Sequence, residues 1–473
     1  MDTFDFEDEE ESQGPPKRKE NFEDEIKKFK ESLKDGASGT TNIAVLEEIV
    51  SYYFEKEKYE DALHFINLLL DFIPYSGDTW QRKGIILNNL QRHGEALECF
   101  EKALTMNPVD SELLINCGIT LDNLRRHEEA LRYFERALEL DPNDEEATFN
   151  KAVTFEKMDR LNDAIGIFNS ILEGNPLHKD SWYELGYCYD LLEKPEKSLE
   201  CYNKHIEIDP YNYNAWYNRG IVLSRIAQYS TSIESYDTAL AIKDDFAAAW
   251  YNKGNAFANM GRLYDAIECY KYAIRLDPDD VPSWHNMGNA YEEVGMHKEA
   301  IKCFTQAIKH DAEHYESYFG RGSCYDALEQ YRKALADYNK ALTLRRDYPE
   351  LWYAKADVAY NLGKWRDAII SYKMVVRLDP KNSEAWFDLG ETLFKYGYFK
   401  ESLKAFNKCI AVNAKWSDPY YSRAKVLFLM RKTYDALESL KTAFQLDPDK
   451  KKVFEMEFPG VRSIKEFTQL LEK

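Results

Sequence analysis

The sequence predicts an all-α protein, a solenoid of about twelve 34-residue helix-turn-helix repeats, and three regularities predict it. Proline stands at 74, 108, 142, 176, 210, 278, 380 and 448, always 34 residues or a whole multiple of 34 apart. Counting each frame so that this proline slot is position 32, twelve frames run from Ile43 to Lys450 without insertion or deletion. The second regularity is smallness: position 8 is glycine in eight frames, from Gly84 to Gly390, and position 20 is Ala or Ser in every frame. The third is bulk, with Trp, Tyr, Leu or Thr at position 4 from the second frame onward and an aromatic ring at position 24 in all but the first and last.

Within a frame, apolar residues recur at three- and four-residue steps on either side of a short polar break, as in Trp250 and Phe257, then Ala266, Tyr270 and Ala273. Each frame is therefore a helix A, a turn and a helix B. Helices of about 13 residues are marginal alone, so each must bury a face against its partner and the next frame. Small residues at positions 8, 20 and 27 permit close approach, and the large ones at 4 and 24 fill the space between. Proline at 32 ends helix B, since the residue before it is turned away from helical geometry.

The ends of the array depart from the pattern. Leu46 and Val50 replace the usual residues of the first frame, as a terminal unit requires less stacking surface. Residues 451–473 are expected to form a C-terminal capping helix, with Ser463 to Glu466 as its capping box. Residues 1–20 are an acidic segment whose composition predicts a disordered tail. Residues 21–42 place Phe22, Ile26, Phe29 and Leu33 on one stripe, a short amphipathic helix followed by a Gly36–Gly39 linker.

The period and the recurring tryptophan, glycine, alanine, aromatic and proline positions of residues 43–450 resemble the tetratricopeptide repeat. The resemblance implies a right-handed superhelix in which helix A lines a concave groove and helix B lies outside. It also implies a non-catalytic role in protein–protein interaction.

Composition narrows the partners. A formal charge of −21 repels phosphate backbones, so nucleic acid is not an expected partner, and no apolar run is long enough for membrane insertion. The acidic opening lacks the basic and apolar regions of a secretion signal, and a cytoplasmic location is expected. The eight cysteines read as small buried residues, because Cys99, Cys201, Cys269 and Cys303 share one phase of the repeat, too far apart for disulfides. Phosphate-loop, zinc-protease, C-x-x-C and nucleophile-elbow motifs are all missing, and no segment outside the repeats is long enough for a catalytic domain. An enzyme is not expected, nor is any cofactor. His310 and His314 have the spacing of a helical metal pair but stand where helix B gives way to the loop; His205 and Cys188 read as packing residues.

The positions of helix A not needed for stacking carry the candidate site. Position 6 holds Asn116, Asn150, Asn218, Asn252 and Asn286, position 9 adds Asn255 and Asn289, and position 5 holds Tyr183, Tyr217 and Tyr251. Carboxamides donate and accept, so a row of them can pair with the backbone of an extended peptide, and tyrosines supply rigid amphipathic anchors. The same residues are also ordinary helix-face residues of such repeats, so they mark a groove without naming its ligand. Acidic residues at position 2, such as Glu316 and Glu350, chiefly complement the helix dipole, with a preference for basic ligands as a secondary expectation. Positions 2 and 5 contain no lysine, which disfavours a carboxylate clamp of the chaperone-tail kind. The expected function is a scaffold or adaptor holding an extended peptide or helix of a client protein in the concave groove. The alternative is a regulatory subunit acting on an enzyme through its convex face or N-terminal tail. Self-association is left open.

Overall fold

The computed structural model describes residues 43–458 together with Ile26, Lys27 and Phe29. Twelve helix pairs follow one another, each a 13-residue helix A and a 14-residue helix B, from Ile43–Glu55 and Tyr59–Phe72 to Ser417–Leu429 and Thr433–Leu446. The fold is an all-α solenoid of stacked helical hairpins, and it divides into two compact units, Met1–Pro210 and Tyr211–Lys473. A short helix, Lys450–Glu457, follows the last pair and sets Phe454 against Tyr421 and Phe444 at ring distances of 6.3 and 6.0 Å. The helix expected to open at Ser463 lies outside the described residues, as do the acidic run of residues 1–20, Phe22, Leu33 and the Gly36–Gly39 linker. Ile26 is buried in the same apolar cluster as Ile49 and Phe65, and the Phe29 ring lies 6.4 Å from that of Phe65.

The helix boundaries have local causes. Position 34 is the N-cap of the next helix A: Ser76, Asp110, Asp144, Asn212, Asp280 and Asn382 each accept the backbone N–H three residues on. His178 and His314 do the same with Nδ1, at 3.1 and 3.2 Å. At the other end, position 15 has positive φ in all twelve repeats, as glycine in four and as residues such as Ala227 (φ 60°) and Asp159 (φ 60°) in the others. Ala227 N–H bonds to the Ser224 carbonyl and Gln228 N–H to that of Leu223, the paired pattern that closes a helix through a left-handed residue.

Packing within a repeat turns on positions 8 and 24. A Cβ added at Gly254 would come 2.7 Å from Tyr270 Cε1, and one at Gly220 would come 2.5 Å from Tyr236 Cε1, so the rings lie directly on the glycine backbone. These rings are among the most buried large side chains: Phe100, Phe134, Phe168, Tyr202, Tyr236, Tyr270 and Phe304. Serine at position 20 adds a bond across the pair, as in Ser232 Oγ donating to the Gly220 carbonyl at 2.8 Å. The tryptophans at position 4 are half-buried rather than enclosed. Their indole N–H latches the preceding loop by donating to the carbonyl of position 32, as in Trp80 to Pro74, Trp250 to Asp244 and Trp386 to Pro380.

Candidate functional site

Aromatic residues at position 5 lean on the position 24 ring of their own repeat. Ring distances are 6.0 Å for Tyr217–Tyr236, 6.1 Å for Tyr251–Tyr270 and 5.8 Å for Tyr353–Tyr372. This packing fixes the ring and leaves the hydroxyl pointing along helix A toward the next repeat. In the unit Tyr211–Lys473, Tyr217 Oη accepts from Asn252 Nδ2 at 2.8 Å, and Tyr251 Oη accepts from Asn286 Nδ2 at 3.1 Å. Asn255 Oδ1 in turn accepts from Tyr270 Oη (2.8 Å) and Asn286 Nδ2 (3.0 Å).

Six expected site residues are thus brought together on one diagonal across the sixth to eighth repeats: Tyr217, Tyr251, Asn252, Asn255, Asn286 and Asn289. They are not idle, since several of their polar atoms tie adjacent repeats to each other. What remains is Asn255 Nδ2 as a donor and Asn286 Oδ1 as an acceptor, neither partnered among the described residues, and the exposed Asn289. These three asparagines line a hollow of about 360 Å³ with Tyr270, Leu263 and Glu293. Asn218 lies half-buried at the start of the same helix row.

Asn116, Asn150 and Tyr183 belong to the unit Met1–Pro210. Asn150 Nδ2 turns back to the Glu146 carbonyl of its own helix at 2.9 Å, and Asn116 is half-buried. Tyr183 packs edge-on against Tyr202 at 5.8 Å and lies 5.4 Å from the His205 ring. Beside Tyr183, Glu184 and Glu156 form a half-buried pair, and both carboxyls are raised above the ordinary range by burial, Glu184 further by repulsion from Glu156.

A second diagonal escaped the sequence reading. Two positions that are asparagine in the seventh and eighth repeats, Asn255 and Asn286, become Asp357 and Asp388 in the tenth and eleventh. The tyrosines are retained: Tyr372 Oη donates to Asp357, as Tyr270 does to Asn255, and Tyr353 Oη donates to Asp388. Burial pushes Asp357 up to about 6, with repulsion from Asp388 and Asp326 adding to it against the Tyr372 hydrogen bond. Burial raises Asp388 too, helped by Glu384 and Glu391. A hollow of about 350 Å³ opens here between Phe319, Tyr338 and Tyr353, edged by Asp326, Asp357 and Glu384. The signal for it was available as the change from amide to acid at fixed repeat positions.

The histidines and cysteines take structural places. His310 Nδ1 faces Asp279 at 3.1 Å, His314 caps a helix, and His205 is fully buried with Nδ1 on the Lys179 carbonyl at 2.8 Å. His285 replaces the position 5 aromatic; burial, then His314, push its pKa down to about 4. It is therefore neutral at pH 7, with Nε2 accepting from Asn289 at 3.0 Å and Nδ1–H donating to Ser317 Oγ at 3.1 Å. All eight cysteines are free and buried, and burial raises each thiol, Cys117 to about 12. Cys188 donates weakly to Glu156 Oε2 at 3.6 Å. Among the described residues no three ligating side chains gather as a metal site, and no helix is long and apolar enough to cross a membrane.

Family models described as tetratricopeptide repeat match residues 77–110, 111–144, 133–166, 180–212, 201–234, 247–280, 279–347 and 353–415, and one described as TPR repeat matches 228–261. Together these spans cover more than half of the chain. The chain belongs to the tetratricopeptide repeat family. Tetratricopeptide repeats bind protein partners, and this chain is a protein-interaction scaffold of that kind. Among curated proteins, none matches its sequence. Solved structures resemble it in fold. YrrB, "a TPR protein with an unusual peptide-binding site", is 24% identical over 39% of this chain and 94% of its own, with a TM-score of 0.37. The C-terminal part of a TPR repeat-containing protein from Cytophaga hutchinsonii is 19% identical over 51% of this chain and 99% of its own, with a TM-score of 0.46. The Cut9–Hcn1 hetero-tetramer of APC/C is 16% identical over 92% and 96%, with a TM-score of 0.38.

Proposed function

We propose that this protein is a non-catalytic adaptor that holds an extended or helical segment of a client protein against the A helices of the sixth to eighth repeats. The observation that carries this reading is the hollow formed by Asn255, Asn286 and Asn289. It offers a donor and an acceptor unpartnered among the described residues within one hollow, the two functions a peptide group pairs with, beside Tyr270. Tyr251 and Tyr270 hold the carboxamides in place, so the site loses little side-chain freedom when a segment binds.

Asn289→Arg tests this without cutting a repeat-to-repeat bond, because Asn289 is exposed and bonds only to His285 among the described residues. Client proteins retained on the immobilised wild-type chain should be lost from the variant while its helical circular dichroism stays unchanged. Equal retention by Asn289→Arg and by Asn255→Ala/Asn286→Ala would rule the site out.

A further inference from the structure

We propose that the hollow edged by the ninth to eleventh repeats receives a basic side chain, arginine foremost, of the segment held in the groove. The inference rests on the groove reading above and gives it a second contact. Asp326, Asp357 and Glu384 edge this hollow, and no Lys or Arg lines it. None of the three is ion-paired among the described residues. Two other carboxylates of the same unit do hold a cation, Asp337 with Arg321 at 2.8 Å and Asp237 with Lys253.

The asparagine diagonal is an internal control. Tyr270 and Tyr251 meet amides through the same positions that Tyr372 and Tyr353 use to meet carboxylates. Stacking of repeats is therefore served by a neutral side chain, and the carboxylates add only negative charge to a groove wall. Phe319, Tyr338 and Tyr353 form the other walls, and flat rings beside carboxylates suit a planar guanidinium, which stacks and forks its N–H groups at once. A hard metal ion would need a gathered set of oxygen ligands, and no such group is present among the described residues.

The test uses the full chain and a displayed library of random dodecapeptides, followed by titration of fluorescein-labelled peptides from the retained pool. The pool should be enriched in arginine, and peptides should bind Asp326→Asn/Asp357→Asn about tenfold more weakly. Replacing the peptide arginine by norleucine should cost the wild type as much and the double variant nothing further. Asp265→Asn/Glu268→Gln removes the same charge from an exposed helix B, so it should leave affinity unchanged. A pool without basic enrichment, or equal losses in both double variants, overturns the proposal. Peptides weakened by Asn255→Ala/Asn286→Ala alone leave the groove reading standing and sink this one; peptides indifferent to every change, or no retained peptide, sink both. Calcium alone should give no heat of binding in calorimetry, and a saturable signal would replace the basic side chain with a metal.

Discussion

At the scale of single residues, the same backbone position does different work according to its side chain. Asn255 and Asp357 both accept a hydrogen bond from the position 24 tyrosine, but only Asp357 carries a charge that burial penalises. Its folded-state pKa of about 6 lies above the ordinary 3.8, so the native chain holds a proton more tightly than the unfolded one. That contribution is fully present below about pH 3.8 and is lost as pH rises through 6. Asp357→Asn should therefore raise stability at pH 7.5 by about 1–2 kcal/mol and have little effect at pH 4, as read from urea melts at the two pH values. An unchanged midpoint at pH 7.5 would show that the carboxylate is well solvated. Position 8 was legible in the sequence because a glycine recurs sixteen residues before a recurring ring, and Gly254 does lie on Tyr270. The acid diagonal was legible only as a change from Asn to Asp at fixed positions; that Tyr372 and Tyr353 meet those acids follows from the packing of the repeats.

At the scale of the element, helix ends divide into those written in side chains and those written in backbone. Position 34 could be read as a cap from Ser76, Asp110, Asp144 and Asn212, whereas position 15 could not, because Glu57, Ala227 and Gly295 share only a positive φ. The turn imposes that angle whichever residue is there. Gly295→Ala should accordingly cost about 1 kcal/mol, while Ala227→Gly should cost nothing or stabilise, the reverse of ordinary helix propensity. Chemical denaturation of the two variants checks the signs, and destabilisation by both would contradict a left-handed turn. Helix A of the eighth repeat, Val281–Glu293, carries a further element-level effect through His285, whose pKa of about 4 lies below the ordinary 6.5. The unfolded chain takes up the proton first as pH falls, so stability is full above 6.5 and drains away toward 4. His285→Tyr, matching Tyr251 in the preceding repeat, should remove about 2 kcal/mol of the difference in stability between pH 8 and pH 5. Equal acid sensitivity in variant and wild type would place the titrating group elsewhere.

At the scale of the whole molecule, the repeat count and the helix pairing were legible because every frame obeys one period, while the way the tryptophans serve the array was not. Bulk and recurrence suggested a core residue. Trp250 is instead half-buried, stacked on Tyr272 at 4.6 Å, with its N–H closing the loop at Asp244. Its removal thus opens a loop-to-helix latch and a partly wet contact rather than a sealed cavity. Trp250→Ala should cost about 2–3 kcal/mol, below the 3–5 kcal/mol typical of a fully enclosed tryptophan. A repeat array is stabilised by each repeat and its nearest neighbours, so the loss should not spread evenly along the chain. Amide exchange should quicken in Ala247–Asn259 and the helices packed on it, while the helix pairs of Met1–Pro210 keep their protection. Uniform loss of protection across both units would mean that the chain unfolds as one cooperative body. Confinement to the unit Tyr211–Lys473 would show that a loop latch can be opened there without disturbing the repeats that precede it.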